Sequence, residues 1–266
     1  MAGRVTIQSL QQKKDQRQKI SMITAYDYPF AQIAEEAGVD AIIVGDSLAI
    51  VVQGHDTTLP VSMDEMIYHT KMVSRASTRT MVIADMPYLS YQVSTEEAVR
   101  NAGRFLKEAG AHAVKLEGGS EAARKVEALT KAEIPVMAHI GLMPQAILRM
   151  GGYKLQGRTE EEAKRLAEDA KLLEGAGAFS IILEAVPAAL AQHITGLLAI
   201  PTIGIGGGPY CDGQVLVMHD VLGMFDRFVP KFIKKYANLK HDAIAAVTKY
   251  REEVENGIFP GSEQSF

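Results

Sequence analysis

The sequence predicts an α/β protein, a (β/α)8 TIM barrel, and three observations lead there. Eight short β-rich runs recur along the chain, at residues 22–24, 41–45, 81–84, 113–116, 136–139, 181–183, 202–205 and 215–218. Several are continuously apolar, as strands covered on both faces of a parallel sheet are. Helical patterns separate most of the runs, and eight strand–helix units are the number that closes a barrel. Finally, ionisable residues stand at the ends of many different strands, which fits a barrel rim. An open doubly wound sheet, the competing architecture, would gather its site in one crevice. The whole span 1–266 is expected to form a single barrel domain with an N-terminal helix and C-terminal helices.

The elements follow in order. The first twenty residues hold no apolar run of signal-peptide length. Lys13, Lys14, Arg17 and Lys19, interrupted by Asp15 and glutamines, read as a solvated N-terminal helix or arm and a candidate contact with another subunit. Helical patterns follow at 30–37 and 64–74. Ser94 with Glu97 forms a capping-box signature before Ala98, Ala102, Phe105, Leu106 and Ala109, closing near Gly110. A helix is expected over 121–131. Thr159 with Glu162 repeats the capping signature before Ala163, Leu166, Ala167, Ala170 and Leu173. Pro187 suits the first turn of a helix carrying Leu190, Ile194 and Leu197. The last helix is expected over 242–255. Between the seventh and eighth runs lies only GGPYCDGQ, too short for a regular helix. Two strand-to-helix connections, 47–63 and 141–158, are long enough to suggest function, and both fall on the C-terminal face.

Composition excludes several classes of protein. The net charge of −4 gives no electrostatic case for nucleic acid or for a polybasic membrane surface. No run of eighteen apolar residues suggests a transmembrane helix. The lone Cys211 cannot form an intrachain disulfide, and with the other features it points to the cytoplasm. A chain this long builds a core without disulfides or structural metal.

The strand ends carry the chemistry. The second strand ends with Asp46 and Ser47, and the third with Asp85. The fourth places Lys115 and Glu117 two apart and so on one face; the fifth ends with His139 and the sixth with Glu184. Each has a structural alternative. Asp46 and Asp85 suit turns or helix caps, Lys115 and Glu117 an ion pair, His139 a satisfied strand-end histidine, and Glu184 a salt bridge with Arg158. Taken together, Asp46, Asp85 and Glu117 supply hard oxygen ligands without cysteine, favouring Mg²⁺ over zinc. A 2-oxo acid would chelate such a cation, which then acidifies the neighbouring C–H. Lys115 would neutralise the substrate carboxylate or developing enolate, and Glu184 remains as general base. IGIGGGP at 203–209 resembles a phosphate-cradling loop, but no helix pattern follows it and glycines also serve tight turns.

The chain also resembles the ketopantoate hydroxymethyltransferase family from about Thr6 to its last residue. The matching segments are TAYDYPFA (24–31), VGDSLAIVVQGHDTTLPV (44–61), YHT (68–70), ADMP (84–87), VKLEGG (114–119), HIGLMPQ (139–145), GGYKLQGR (151–158), LEAVP (183–187), GIGGGPYCDGQVLVMHD (204–220) and FPGSEQSF (259–266). The resemblance implies a barrel of the phosphoenolpyruvate/pyruvate type, assembled as a homodecamer of two stacked pentameric rings. It also implies transfer of a hydroxymethyl group from 5,10-methylenetetrahydrofolate to 3-methyl-2-oxobutanoate, giving 2-dehydropantoate in pantothenate biosynthesis. Residue by residue, it assigns Asp46, Asp85 and Glu117 to Mg²⁺, with Glu117 direct or through water. Ser47 and Lys115, with Asp46 and Asp85, fall to the ketoacid, Glu184 to proton removal, and His139 to an orienting role. Ala49 and Ala138 stand where the family often has glycine, and Gly207 where it often has alanine; none removes a ligand or the base. Two other functions fit the same residues: a lyase cleaving a 2-oxo acid, and a non-enzymatic barrel that binds ketoacids.

Overall fold

The structure, a computed structural model, describes residues 3–227 and 230–266. Among them, eight parallel strands close into a barrel in chain order: β1 (Ile20–Thr24), β2 (Ala41–Val44), β3 (Met81–Asp85), β4 (Ala113–Glu117), β5 (Val136–Gly141), β6 (Ser180–Glu184), β7 (Thr202–Ile205) and β8 (Gly213–Leu216). The helices are α1 (Ile7–Asp15), α2 (Tyr28–Glu36), α3 (Leu48–Val51), α4 (Met63–Ala76), α5 (Thr95–Ala109), α6 (Ser120–Lys131), α7 (Ile147–Met150), α8 (Glu160–Gly175), α9 (Ala188–Leu197), α10 (Met218–Val221) and α11 (Leu239–Glu255). The closed barrel replaces the open-sheet alternative. As the short GGPYCDGQ segment predicted, no helix among the described residues separates β7 from β8.

The register explains how one sequence gives an apolar core and a charged rim. Inward positions alternate along each strand. On β3 they run Met81, Ile83, Asp85; on β4 Ala113, Lys115, Glu117; on β5 Met137, then His139. The lower members join Leu10, Ile20, Met22, Ala41, Ile43, Phe179, Ile182, Ile203 and Val215 in one core cluster. The upper members are the ionisable groups.

β8 lies two residues earlier than the apolar run suggested, because closure selects Gly213. It pairs with Ile20, and a Cβ there would come within 2.5 Å of the Ile20 carbonyl oxygen. Polar Gln214 and small Gly213 hid this edge from a reading of hydrophobicity.

The N-terminal segment differs from the expected solvated arm. Leu10 is fully buried in the barrel core, and Val5 and Ile7 pack against it. Lys13 pairs with Asp40 at 2.5 Å and Lys14 with Asp212 at 2.8 Å, so α1 covers the N-terminal end of the barrel. One buried leucine among polar neighbours is too little apolar patterning to announce this.

Caps set most helix starts. Thr159 and Glu162 form the reciprocal capping box of α8, and Ser62 with Glu65 makes an unforeseen one on α4. Ser94 accepts from the Glu97 N–H, the single half of its expected box that forms. Pro187 occupies the cap position just before α9. The chain divides into two compact units between Val217 and Met218. In the second, α11 carries no buried residue, Tyr250 stacks edge-on against Phe259 at 5.4 Å, and Lys240 pairs with Asp226. No helix among the described residues is long and apolar enough to cross a membrane.

Candidate active site

Strand ends bring the expected side chains together at the C-terminal rim. Lys115 donates to Asp85 Oδ2 at 3.0 Å and to Glu117 Oε1 at 2.9 Å. The Asp46 N–H donates to Asp85 Oδ2 at 3.2 Å. The β5 and β6 registers place His139 Nε2 3.2 Å from Glu184 Oε2 and His139 Nδ1 3.7 Å from Glu117 Oε1. His139, rather than Arg158, is therefore the ionisable partner of Glu184. Ser47 opens α3 and shares a 2.8 Å hydrogen bond with Tyr26.

Gly141 makes the β5–β6 approach possible. At φ +95° a side chain would be strained, and its Cβ would lie 2.2 Å from the Glu184 carbonyl oxygen. Ala185, directly after Glu184, also adopts positive φ (48°), a conformation costing roughly 1 kcal/mol for a non-glycine residue. The chain thus turns sharply where it presents the Glu184 carboxylate.

Electrostatics distinguish these groups. Asp46, Asp85, Lys115, Glu117 and His139 are all buried. Burial drives the Asp85 carboxyl well above its ordinary value, with Lys115 opposing. Glu117 rises for the same reason. Burial disfavours the Lys115 ammonium, but Asp85 and Glu117 outweigh it and hold its pKa well above normal. Burial outweighs the one cation shared between the two carboxylates, so both carboxyls rise while the lysine stays charged. Burial, then Lys115, lower His139 to about 3, leaving a neutral imidazole. Burial lifts Glu184 to about 8, against Lys115 and with Asp46. A carboxylate of that pKa is matched to proton transfer near neutral pH.

Several buried polar atoms have no aligned protein partner among the described residues: Asp85 Oδ1 and both ring nitrogens of His139. Such orphans cluster where a ligand is to be met. No three His, Cys, Asp or Glu side chains among the described residues are disposed to enclose a metal ion by themselves. Lys115 stands between Asp85 and Glu117, and both Glu117 oxygens are engaged, Oε1 by Lys115 and Oε2 by the Gln145 N–H at 3.1 Å.

Sequence reasoning missed Gln145, Tyr91 and Tyr153. Gln145 and Tyr91 are buried and hydrogen-bonded into the cluster. Tyr153, half-exposed on the 141–158 connection, has its hydroxyl pKa raised by burial and then by Glu184, Asp46 and Glu117. Gln145 closes the quoted HIGLMPQ segment, but a neutral amide in a loop carries no titratable signal. The 203–209 glycines have a packing reason: a Cβ on Gly208 would lie 2.5 Å from the Ala188 Cβ at the start of α9.

Fold and rim together define a (β/α)8-barrel enzyme with a lysine–carboxylate cluster facing a high-pKa glutamate. Known proteins narrow the class. The sequence model of the family described as ketopantoate hydroxymethyltransferase matches residues 4–262. The 3-methyl-2-oxobutanoate hydroxymethyltransferase of Syntrophobacter fumaroxidans (strain DSM 10017 / MPOB) is 58% identical over 100% of this chain and 94% of its own. That of Syntrophus aciditrophicus (strain SB) is 56% identical over 99% and 97%. Among solved structures, phosphonopyruvate hydrolase in complex with oxalate and Mg++ superposes with a TM-score of 0.62 at 14% identity, covering 97% of this chain and 92% of its own. A 2,3-dimethylmalate lyase of the PEP mutase/isocitrate lyase superfamily superposes with a TM-score of 0.58 at 19% identity, covering 97% and 91%. These two share the fold. The chain belongs to the ketopantoate hydroxymethyltransferase family and is an enzyme of the transferase class.

Proposed function

We propose that this chain transfers a hydroxymethyl group from 5,10-methylenetetrahydrofolate to 3-methyl-2-oxobutanoate, forming 2-dehydropantoate for pantothenate synthesis. The observation that carries the proposal is Glu184, raised to about 8 and facing a buried Lys115–Asp85–Glu117 cluster that retains an unpartnered Asp85 oxygen.

The residues fit Mg²⁺. Such an ion is usually held by one or two carboxylates and completed by water and substrate oxygens. Asp85 Oδ1 is buried without a hydrogen-bond partner among the described residues, and Asp46 commits Oδ2 to Gln145. Both aspartates would hold the ion, with Glu117 acting through water because its two oxygens are committed. When bound, the cation supplies Lewis-acid polarisation of the substrate ketone.

The chain's own groups do the rest. Lys115 and Ser47 hold the ketoacid carboxylate. Glu184 removes the proton from the tertiary carbon beside the ketone, while the Lys115 ammonium offsets charge developing on the ketone oxygen. The neutral His139 orients the Glu184 carboxyl and accepts a hydrogen bond from its protonated form. As one methylene C–N bond of the folate donor opens, the substrate carbon attacks the methylene carbon and forms a quaternary centre. The second C–N bond then breaks, water supplies the product hydroxyl, and tetrahydrofolate leaves with two protons, one passed on from Glu184 and one from that water. Assembly as a homodecamer, on the strength of the resemblance, and a cytoplasmic setting, on the lone cysteine and the absence of a signal-peptide run, belong to the same proposal.

The test is exchange of the substrate C–H in deuterated water, with Mg²⁺ and without folate. Exchange is expected in the wild type and lost in Glu184→Gln, with ketoacid binding retained. Undiminished exchange in that variant removes Glu184 as the base. Release of a carbonyl fragment without folate would favour a lyase.

A further inference from the structure

We infer that Gln145, oriented by Tyr91, is a positioning residue that fixes which oxygens of Asp46 and Glu117 face the reaction site. The inference rests on the proposed metal-assisted reaction and adds a residue to it.

The hydrogen bonds leave the Gln145 amide one orientation. Its Nε2 donates to Asp46 Oδ2 at 3.0 Å and to the Met86 carbonyl at 2.9 Å. Its Oε1 accepts from the Tyr91 hydroxyl at 2.8 Å and from Gln92 Nε2 at 3.3 Å. Flipped, the amide would set its oxygen against the Asp46 carboxylate and the Met86 carbonyl and its nitrogen against Gln92 Nε2, losing three of these four bonds. Its backbone N–H meanwhile donates to Glu117 Oε2 at 3.1 Å.

One buried residue therefore ties the ends of β2 and β4 and the segment after β3 to the long connection after β5. Tyr91 fixes the clamp from behind, accepting from the Glu117 N–H at 3.1 Å while donating to Gln145. With Oδ2 of Asp46 held by Gln145, Oδ1 is the oxygen left to meet a ligand. With Oε2 of Glu117 held by Gln145 and Oε1 by Lys115, Glu117 is kept from direct ligation. Groups that orient ligating carboxylates in this way change metal affinity about 10- to 100-fold when removed.

Gln145→Met keeps the length and removes both donors and the acceptor. Mn²⁺ titration of the full-length protein, followed by electron paramagnetic resonance at a temperature where it is folded, reads the effect without turnover. The expected result is Mn²⁺ affinity weakened about tenfold or more, with kcat falling along with it. Tyr91→Phe, which loses one hydroxyl, is expected to weaken Mn²⁺ in the same direction by less, and it decides the matter if Gln145→Met does not fold. A folded Gln145→Met, or failing that a folded Tyr91→Phe, that binds Mn²⁺ as the wild type does overturns the positioning role. Wild-type protein that binds no Mn²⁺ overturns the metal-assisted reading itself and this inference with it.

Discussion

The two ends of the barrel use the same chemistry, lysines against carboxylates, to opposite ends. At the N-terminal end the carboxylates of Asp40, Asp212 and Glu35 are satisfied. Asp40 accepts from Lys13 and from the Ser21 N–H and hydroxyl; Asp212 accepts from Lys14 and from the Thr202 N–H and hydroxyl. Glu35 accepts from Thr78, Arg79 and Thr80 and, although burial pushes it upward, these bonds hold it at about 2. At the C-terminal end Asp85 keeps an unpartnered oxygen, and Glu184 is lifted to about 8. Satisfied charges lock a structure; unsatisfied ones await a ligand. The contrast predicts that stability and catalysis separate along the barrel axis.

The sharpest break of that contrast is Glu184→Gln, expected to lower turnover about 10²–10⁴-fold while leaving the fold intact. In the wild type, kcat/KM in the free enzyme should rise with pH to a midpoint near 8, read from an initial-rate profile. Stability should move the other way. The folded pKa of about 8 lies above the unfolded value, so the folded state holds the extra proton and stability falls as pH rises from about 4.5 to 8. Glu184→Gln should remove that slope, giving a higher melting temperature than wild type at pH 8. A variant less stable there would show that Glu184 is a structural anchor.

Asp212→Ala should do the reverse at the other end: a loss of about 2 kcal/mol in denaturant unfolding, with kcat unchanged in the folded protein. A drop in kcat at full folding would break the division. Glu35→Gln sharpens it further. A carboxyl depressed to about 2 contributes stability above its unfolded pKa and loses it as pH falls toward 2. Since Glu35 is partly exposed, the cost at pH 7 should be about 1 kcal/mol, vanishing near pH 2 in acid titration. The smallest effect belongs to Ala185→Gly. Relief of the positive φ should leave melting unchanged or raise it by a few tenths of a kcal/mol, while a freer Glu184 lowers kcat modestly. A clear loss of stability would mean that the turn is held by more than strain.

Strand positions were legible because apolar runs buried on both faces have few other uses, and the rim groups because charge at the end of such a run demands an explanation. The pairing of His139 with Glu184 was not, since it depends on the β5–β6 register and on Gly141 allowing close approach. Nor was the docking of α1, in which Leu10 is the one fully buried residue. Gln145 escaped because its importance lies in five hydrogen bonds to residues far away in the chain, each invisible to periodicity and charge.

The seam between β1 and β8 has a consequence for synthesis. Ile20 meets Gly213 there, and Lys14 meets Asp212 across 198 residues of chain. At about 5–20 residues per second, the first strand waits on the order of 10–40 s on the ribosome before its second neighbour exists. Until then its outer edge is an unpaired β-edge, the kind of surface chaperones shield and aggregates recruit. The barrel is finished by its last strand, and a nascent chain stalled short of that point would carry the fold's most adhesive border in the open.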